Sequence, residues 1–341
     1  MQAARLNQIT SAFAGKRIAV CGDFFLDRYL WIDPSRAEIS VETGHTANQV
    51  VSETIAPGAA GTVAANLAAL GASVICLGLI GDDGDGYSLR RGLHAIGVDD
   101  SLMIVTPDRP TATYTKPVIR RTDGTVQELE RLDIRSRDPL PAQYRIRFIE
   151  HLETVAQHID AIVYADQMPE APAALINETV HAAIARIAHE HPTLPMFADS
   201  RARIDSFRHV VIKPNLSEAY MALGHATNLR SDHADIANAL SAQTQRPVVI
   251  TLAGEGVLVQ HAGVMTHIPG IPVDCPIDVV GAGDSVMAAL AIAQAAGATL
   301  VEAAEIAMFV AAVTIRKLGT TGTATPAELT AIAQKNGRIQ P

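Results

Sequence analysis

Within Asp278-Val279-Val280-Gly281-Ala282-Gly283-Asp284, two glycines and a carboxylate stand just ahead of an apolar stretch, 286–296, that reads as a helix. The free amides and positive dipole end of a helix start make an anion site, and glycine lets the backbone approach phosphate oxygens. A carboxylate at the same turn could take the proton of an incoming hydroxyl. Gly281, Ala282, Gly283 and Asp284 therefore suit phosphoryl transfer. The same four residues would also suit a plain helix cap. Competing phosphate motifs are incomplete: Gly281-x-Gly283-x-x-Val286 lacks its last glycine, and Ala14-Gly15-Lys16-Arg17 lacks the upstream glycine of a P-loop.

Short apolar runs bounded by glycine alternate with longer helical stretches. This predicts an α/β fold with a doubly wound, mostly parallel sheet flanked by helices. Strands are expected over 17–21, 73–79, 161–165, 195–198, 209–212, 247–252 and 256–261. Helices are expected over 3–13, 61–70, 87–96, 142–157, 171–189, 233–243, 285–296 and 300–316. Two stretches, 30–55 and 111–133, break the rhythm with alternation such as Thr113, Thr115, Pro117 and Ile119. Thr122-Asp123-Gly124, inside the second stretch, suits a hairpin turn. The two stretches are expected to pair into a small antiparallel β lid inserted in a single domain over 1–341.

With 341 residues, 48% hydrophobic and 18% charged, the chain can bury a large core, which argues against disorder. A net charge of -9, without a Lys/Arg run, argues against a nucleic-acid partner and for small-molecule ones. No run of eighteen apolar residues escapes a charge or a break, so no membrane span is expected. Cys21, Cys76 and Cys275 have neither disulfide nor metal spacing, which fits a reducing, cytoplasmic setting. Cys21 reads as a small core residue. His189-Glu190-His191 lacks zinc-helix spacing, and Asp82-Asp83-Gly84-Asp85-Gly86 lacks the later glutamate of a calcium loop and reads as a helix-capping loop.

The 278–284 stretch closely resembles the C-terminal signature of ribokinase-like (PfkB) carbohydrate kinases. Further stretches follow that family's order: Gly22-Asp23-Phe24-Phe25-Leu26-Asp27-Arg28-Tyr29, Pro57-Gly58-Ala59-Ala60-Gly61, Lys213-Pro214-Asn215-Leu216-Ser217-Glu218, Thr251-Leu252-Ala253-Gly254-Glu255-Gly256 and Lys317-Leu318-Gly319-Thr320. Residues 22–29 and 317–320, Ile39-Ser40-Val41-Glu42 and Arg131-Leu132-Asp133 look most like the bacterial heptose phosphate kinases. The resemblance implies ATP and Mg²⁺ as cofactors, with Asp284 as general base and Gly281 to Gly283 as an anion hole. It implies that Asn215 and Glu218 orient Mg²⁺ through water, and that Thr251, Gly254 and Gly256 border the nucleotide. Lys317 and Gly319 would lie near the adenine, and Asp278 would belong to a monovalent-cation (K⁺) loop. Asp27 would hold sugar hydroxyls from a strand's C-terminal end, with Asp23 as a second candidate that reads equally as a turn cap. Arg131, with Arg120 or Arg121, could grip an acceptor phosphate or equally form a solvated lid face, and two lids would pair across a homodimer.

Three departures from the family pattern occur. Gly58, Ala59 and Thr62 replace Gly-Gly with a downstream Asn, Val280 replaces a threonine, and Met308 replaces an asparagine. Asp166-Gln167-Met168 also differs from the aspartate, lysine and glycine pattern of the heptose kinases. Thr62 could still hydrogen-bond an acceptor, and Val280 is expected to pack. A sugar or sugar phosphate is the expected acceptor, heptose phosphate first. A nucleoside kinase and a catalytically silent ligand-binding protein are the alternatives.

Overall fold

In the computed structural model, which describes residues 1–121, 125–224, 233–319 and 321–338, the apolar runs build a nine-stranded sheet. Its order is Val264–Ile268, Val257–His261, Val248–Thr251, Val211–Ile212, Met196–Ser200, Ala161–Asp166, Arg17–Gly22, Ser73–Gly81 and Ile104–Thr106. All neighbours pair in parallel except the antiparallel edge formed by Val248–Thr251, Val257–His261 and Val264–Ile268. Successive side chains of Arg17–Gly22 alternate between two apolar layers. Ile18 and Val20 join the cluster under the helices Ala60–Leu70, Ala282–Ala295 and Leu300–Thr314. Ala19 and Cys21 join the cluster under Ala142–Ala156 and Glu178–Glu190. A strand covered on both faces must be apolar throughout, as this one is beyond Arg17. Burial pushes the Cys21 thiol well up, consistent with a packing role.

Expected and observed elements agree within a few residues, with one clear exception. The helix expected over 171–189 begins only at Glu178, where the Asn177 side chain accepts from the Val180 amide at 3.2 Å. Upstream, the carbonyls a helix would use are taken by guanidiniums: Arg109 donates to Ala173 O at 2.9 Å, and Arg145 to Pro172 O at 2.9 Å and Ala174 O at 2.7 Å. Additional elements are the strands Ile104–Thr106 and Val264–Ile268 and the helices Leu216–Ala222 and Pro326–Lys335. Among the described residues, no helix is long and apolar enough to cross a membrane.

The lid is a five-stranded sheet built on Phe24–Ile32, with Val50–Ala59 on one side and Thr113–Arg120 on the other. Leu132–Ile134 and Val126–Glu128 pair with Thr113–Arg120. It starts at Phe24, earlier than residue 30, because the buried Phe24, Phe25 and Leu26 leave the main sheet directly after Gly22. Its outer pairings are antiparallel, whereas Phe24–Ile32 and Thr113–Arg120 run parallel. Glu38–Ile39 and Thr46–Ala47 form a separate antiparallel ribbon. The expected hairpin turn, Thr122-Asp123-Gly124, lies outside the described residues. Asp83 caps the helix Gly84–Ala95, as expected of that loop, and also accepts from the Thr111 amide and hydroxyl, both at 2.8 Å. Asp85 pairs with Arg28 and accepts from Thr113 Oγ1 at 3.0 Å, so this loop ties both central lid strands to the main body.

Val50–Ala59 passes into Ala60–Leu70 with no intervening loop, and the whole change of direction falls on Ala59, at φ 54° and ψ -118°. Such backbone suits glycine, and a side chain there stores strain of about 1–3 kcal/mol. Ala59→Gly should therefore raise stability by about 1 kcal/mol, read as a thermal midpoint about 2 °C higher by calorimetry. An unchanged or lower midpoint would contradict a strained Ala59.

Candidate active site

The turn that opens the helix Ala282–Ala295 has Gly281 as its N-cap at φ 77°, ψ 4°, a left-handed conformation. A Cβ there would also meet Thr321 Cγ2 at 2.8 Å and Thr62 Cγ2 at 3.1 Å. Glycine is therefore required by both conformation and packing. The Ala282 amide donates to Val279 O at 3.1 Å, so it is not free for an anion. Among the described residues, the amides of Gly281, Gly283 and Asp284 have no acceptor, which leaves three free donors at this turn. The Asp284 carboxyl likewise makes no hydrogen bond to a described residue and does not cap its helix. Gly281 thus caps the helix, and Asp284 is left unengaged by the cap. Burial and the neighbouring Asp199 push the Asp284 carboxyl up to about 7, against the opposing pull of Lys213.

Lys213 ends the strand Val211–Ile212 with its side chain 3% exposed, and its Nζ lies 3.0 Å from Asp199 Oδ2. Burial works against the ammonium, but Asp199 outweighs it and the Lys213 pKa is raised. A Cβ on Gly283 would stand 3.6 Å from Lys213 Nζ, so a cation lies directly beside the amide-rich turn. Asn215 and Glu218 form a capping box on Leu216–Ala222: the Asn215 side chain accepts from the Glu218 amide at 2.9 Å, and Glu218 Oε2 from the Asn215 amide at 2.8 Å. That leaves Glu218 one carboxylate oxygen, and burial followed by Asp199 raises its pKa.

These groups line a cavity of about 500 Å³. Its polar end holds Asp199, Arg201, Lys213, Glu218 and Asp284, and its apolar end holds Ile271, Met308, Ala312 and Ile315. Thr251, Gly254 and Gly256 line the wall between them, and the Asn215–Thr251 bridge fixes their register. Met308 thus lines this cavity. Lys317 does not line this cavity: its ammonium donates to Thr323 O at 2.6 Å and pairs with Glu328 at 2.9 Å. Asp278 accepts from the Val280 amide at 3.0 Å and from the Gly319 amide at 3.2 Å, so Gly319 serves to join the two loops. Thr320 lies outside the described residues. Val280 does not pack; its side chain is 51% exposed because its amide, tied to Asp278, turns it outward.

On the acceptor side, Asp27 stands within the lid strand Phe24–Ile32, not at the end of a main-sheet strand as expected. Its Oδ1 lies 3.1 Å from Lys116 Nζ, and a Cβ on Gly58 would come within 2.4 Å of its Oδ2. The Asp27 charge adds to the rise of the Asp284 carboxyl, after burial and Asp199. Thr62 is buried beside Gly281, its hydroxyl 3.5 Å from Pro57 O. Asp23 is buried and serves as a turn clamp, accepting from the Gln167 and Met168 amides at 2.7 and 2.8 Å. Asp166 beneath it pairs with Arg203 and Ser200, and burial pushes it up to about 7. Arg131 pairs with Asp133 at 2.6 Å and stacks 4.3 Å from the Tyr114 ring.

A sequence model of the pfkB family of carbohydrate kinases matches residues 28–328. The chain belongs to that family. It is 34% identical over 334 residues to "Bifunctional protein HldE" of Caulobacter vibrioides, covering 96% of this chain and 65% of that protein. It is 32% identical over 332 residues to the protein of the same name from Geobacter metallireducens, covering 94% and 64%. The chain thus spans just under two thirds of the length of these curated relatives. Ribokinase of Arabidopsis thaliana, complexed with ribose and ATP, superposes with TM-score 0.68 at 17% identity, covering 94% of this chain and 98% of that one. Phosphofructokinase-2 of Escherichia coli, in complex with potassium, gives 0.70 at 16% identity, covering 95% and 99%. The fold is therefore ribokinase-like, and this pfkB family member is a phosphotransferase with an alcohol group as acceptor.

Sequence reasoning about this carbohydrate kinase missed Asp199, Arg201, Lys213 as a site residue, and Lys116. Lys213 sat inside a quoted motif, but nothing local distinguishes Lys116 from a solvated lid lysine. The raised Asp284 carboxyl has a stability consequence. Its folded pKa lies above its unfolded value, so the native state binds the extra proton and loses stability as pH rises from about 4 to about 7. Asp284→Asn should remove that loss. Its thermal midpoint should exceed the parent's by about 2 °C at pH 7, and the gap should close toward pH 4. A gap independent of pH would show that burial does not raise Asp284.

Proposed function

We propose that the chain transfers the γ-phosphoryl group of ATP to a hydroxyl of a sugar or sugar phosphate, as one kinase unit with the lid as its insert. The observation that carries this is the Asp284 carboxyl, free of hydrogen bonds to the described residues, beside three acceptor-less amides and the Lys213 ammonium. The acceptor oxygen forms a bond to the γ-phosphorus while the bond to the β–γ bridging oxygen breaks. ADP leaves with the electron pair, and the hydroxyl proton passes to Asp284. The amides of Gly281, Gly283 and Asp284, with Lys213, face the charge on the transferring group. The apolar end near Met308 and Ile315 suits a base, and the Thr251 to Gly256 wall suits ribose and phosphates.

No group of three titratable ligands fit for a metal occurs among the described residues. A cation held mainly by nucleotide phosphates and water, with the spare oxygen of Glu218 nearby, fits that donor set, which is the behaviour of Mg²⁺. Mg²⁺ would supply charge neutralisation of the phosphates. Asp278 accepts one amide hydrogen on each oxygen and keeps lone pairs on both, so it remains the candidate K⁺ ligand.

Heptose phosphate remains the first acceptor because stretches 22–29, 39–42 and 131–133 look most like heptose phosphate kinases. Assaying adenosine, ribose, fructose 6-phosphate and a heptose 7-phosphate separates sugar kinase from nucleoside kinase. Turnover with none of them would support the silent ligand-binding alternative. With the best acceptor, Asp284→Asn should lower kcat about 10²–10⁴-fold with little change in the KM for ATP. The acid limb of kcat/KM should fall through a pKa near 7, because a protonated Asp284 cannot accept the hydroxyl proton. Full activity at pH 5 would sink the assignment.

The lid edge strand Val50–Ala59 is exposed over 50–54, and Ile39 and Val41 are exposed apolar residues on the adjoining ribbon. Such an edge supports pairing of two lids across a homodimer. Light scattering should then give twice the chain mass at micromolar concentration; a monomer would contradict it.

A further inference from the structure

The parallel register of the central lid strands sets Asp27 opposite Tyr114 and Tyr29 opposite Lys116. Side chains two apart along a strand share a face, so all four project from the same side of the lid. Lys116, 8% exposed, reaches diagonally across this pairing. Its Nζ lies 3.1 Å from Asp27 Oδ1, 3.0 Å from the Tyr29 hydroxyl and 4.6 Å from the Tyr29 ring centroid. From the opposite neighbour, Gly58 presents bare backbone to the other oxygen, since a Cβ there would stand 2.4 Å from Asp27 Oδ2. The carboxylate is therefore fixed between a buried cation and a glycine.

We propose that Lys116 is a positioning residue for the acceptor site. By holding Oδ1 of Asp27, its ammonium fixes the carboxylate in the orientation from which Oδ2 accepts sugar hydroxyls. A carboxylate has lone-pair sites enough to accept from the lysine and from two hydroxyls together. Burial works against the ammonium, but Asp27 and Tyr29 outweigh it and Lys116 stays charged, as this role requires. Tyr29 in turn orients the lysine through its hydroxyl and its ring face. A long flexible lysine would otherwise let Asp27 swing toward solvent. The inference rests on the reading of Asp27 as the residue that holds the acceptor.

The test is steady-state kinetics on Lys116→Met, Lys116→Arg, Asp27→Asn and the Lys116→Met/Asp27→Asn double variant. The acceptor is the one giving the highest turnover among ribose, fructose 6-phosphate, a heptose 7-phosphate and adenosine. Lys116→Met should raise the acceptor KM about 10- to 100-fold and leave the KM for ATP within about twofold. Lys116→Arg, which keeps the charge, should restore most of the loss. The double variant should be no worse than Asp27→Asn alone, because Lys116 acts only through Asp27.

Additive losses, or a normal acceptor KM in Lys116→Met while Asp27→Asn raises it, would overturn the positioning role and leave the Asp27 reading standing. A normal acceptor KM in Asp27→Asn would overturn the Asp27 reading and this inference with it, as would no turnover with any acceptor. Should Lys116→Met not yield folded protein by circular dichroism, Tyr29→Phe keeps the ring and the charge and removes only the orienting hydroxyl. It should raise the acceptor KM by about two- to fivefold, and an unchanged value would overturn the proposal.

Discussion

The buried ion pair between Lys213 and Asp199 is the interaction on which the site depends. It joins the ends of two adjacent parallel strands, Met196–Ser200 and Val211–Ile212, directly beside the glycine turn. Two charges withdrawn from water are costly unless each satisfies the other, and removing either leaves a buried charge worth about 3–5 kcal/mol of instability. The same lysine also opposes the rise in the Asp284 pKa that burial and Asp199 impose. One cation therefore pairs with Asp199 and tempers the rise that burial imposes on Asp284 and Glu218.

Around that pair, main-sheet strands and helix starts supply the polar groups, and the helix Leu300–Thr314 supplies the apolar end of the cavity through Met308 and Ala312. Ligand sites of open α/β sheets lie at the carboxyl ends of the strands, and Asp199, Lys213 and Thr251 all come from such ends. The lid contributes from the opposite side. Arg28, Asp85 and Thr113 anchor its base, and Asp27 and Lys116 stand on its inner face. The strained Ala59 marks the seam between lid and core. There the family pattern has glycine, and this chain carries a methyl group at a positive φ.

The buried network of Asp23, Asp166 and Arg203 shows how burial assigns a role that spacing leaves open. Asp23 could have held a sugar or capped a turn. Its two amide hydrogen bonds to Gln167 and Met168 give it the second role, and Gln167 is thereby set at the edge of the cavity. Lys317 shows the same principle. It lies in a motif that borders nucleotides in the family, but in this chain its ammonium is engaged by Glu328 and Thr323.

By itself the sequence determined the alternation of strands and helices and the glycine turn ahead of the Ala282–Ala295 helix. Those features depend on residues within one turn or one strand, where propensity and spacing act locally. Only the tertiary structure decided the parallel pairing inside the lid, the partners of Asp27, Asp199 and Lys213, and the late start of Glu178–Glu190. Each of these rests on a contact between residues distant in sequence. Lys116 and Asp27 are separated by eighty-nine positions, and no periodicity along the chain records which two strands meet or in which direction they run.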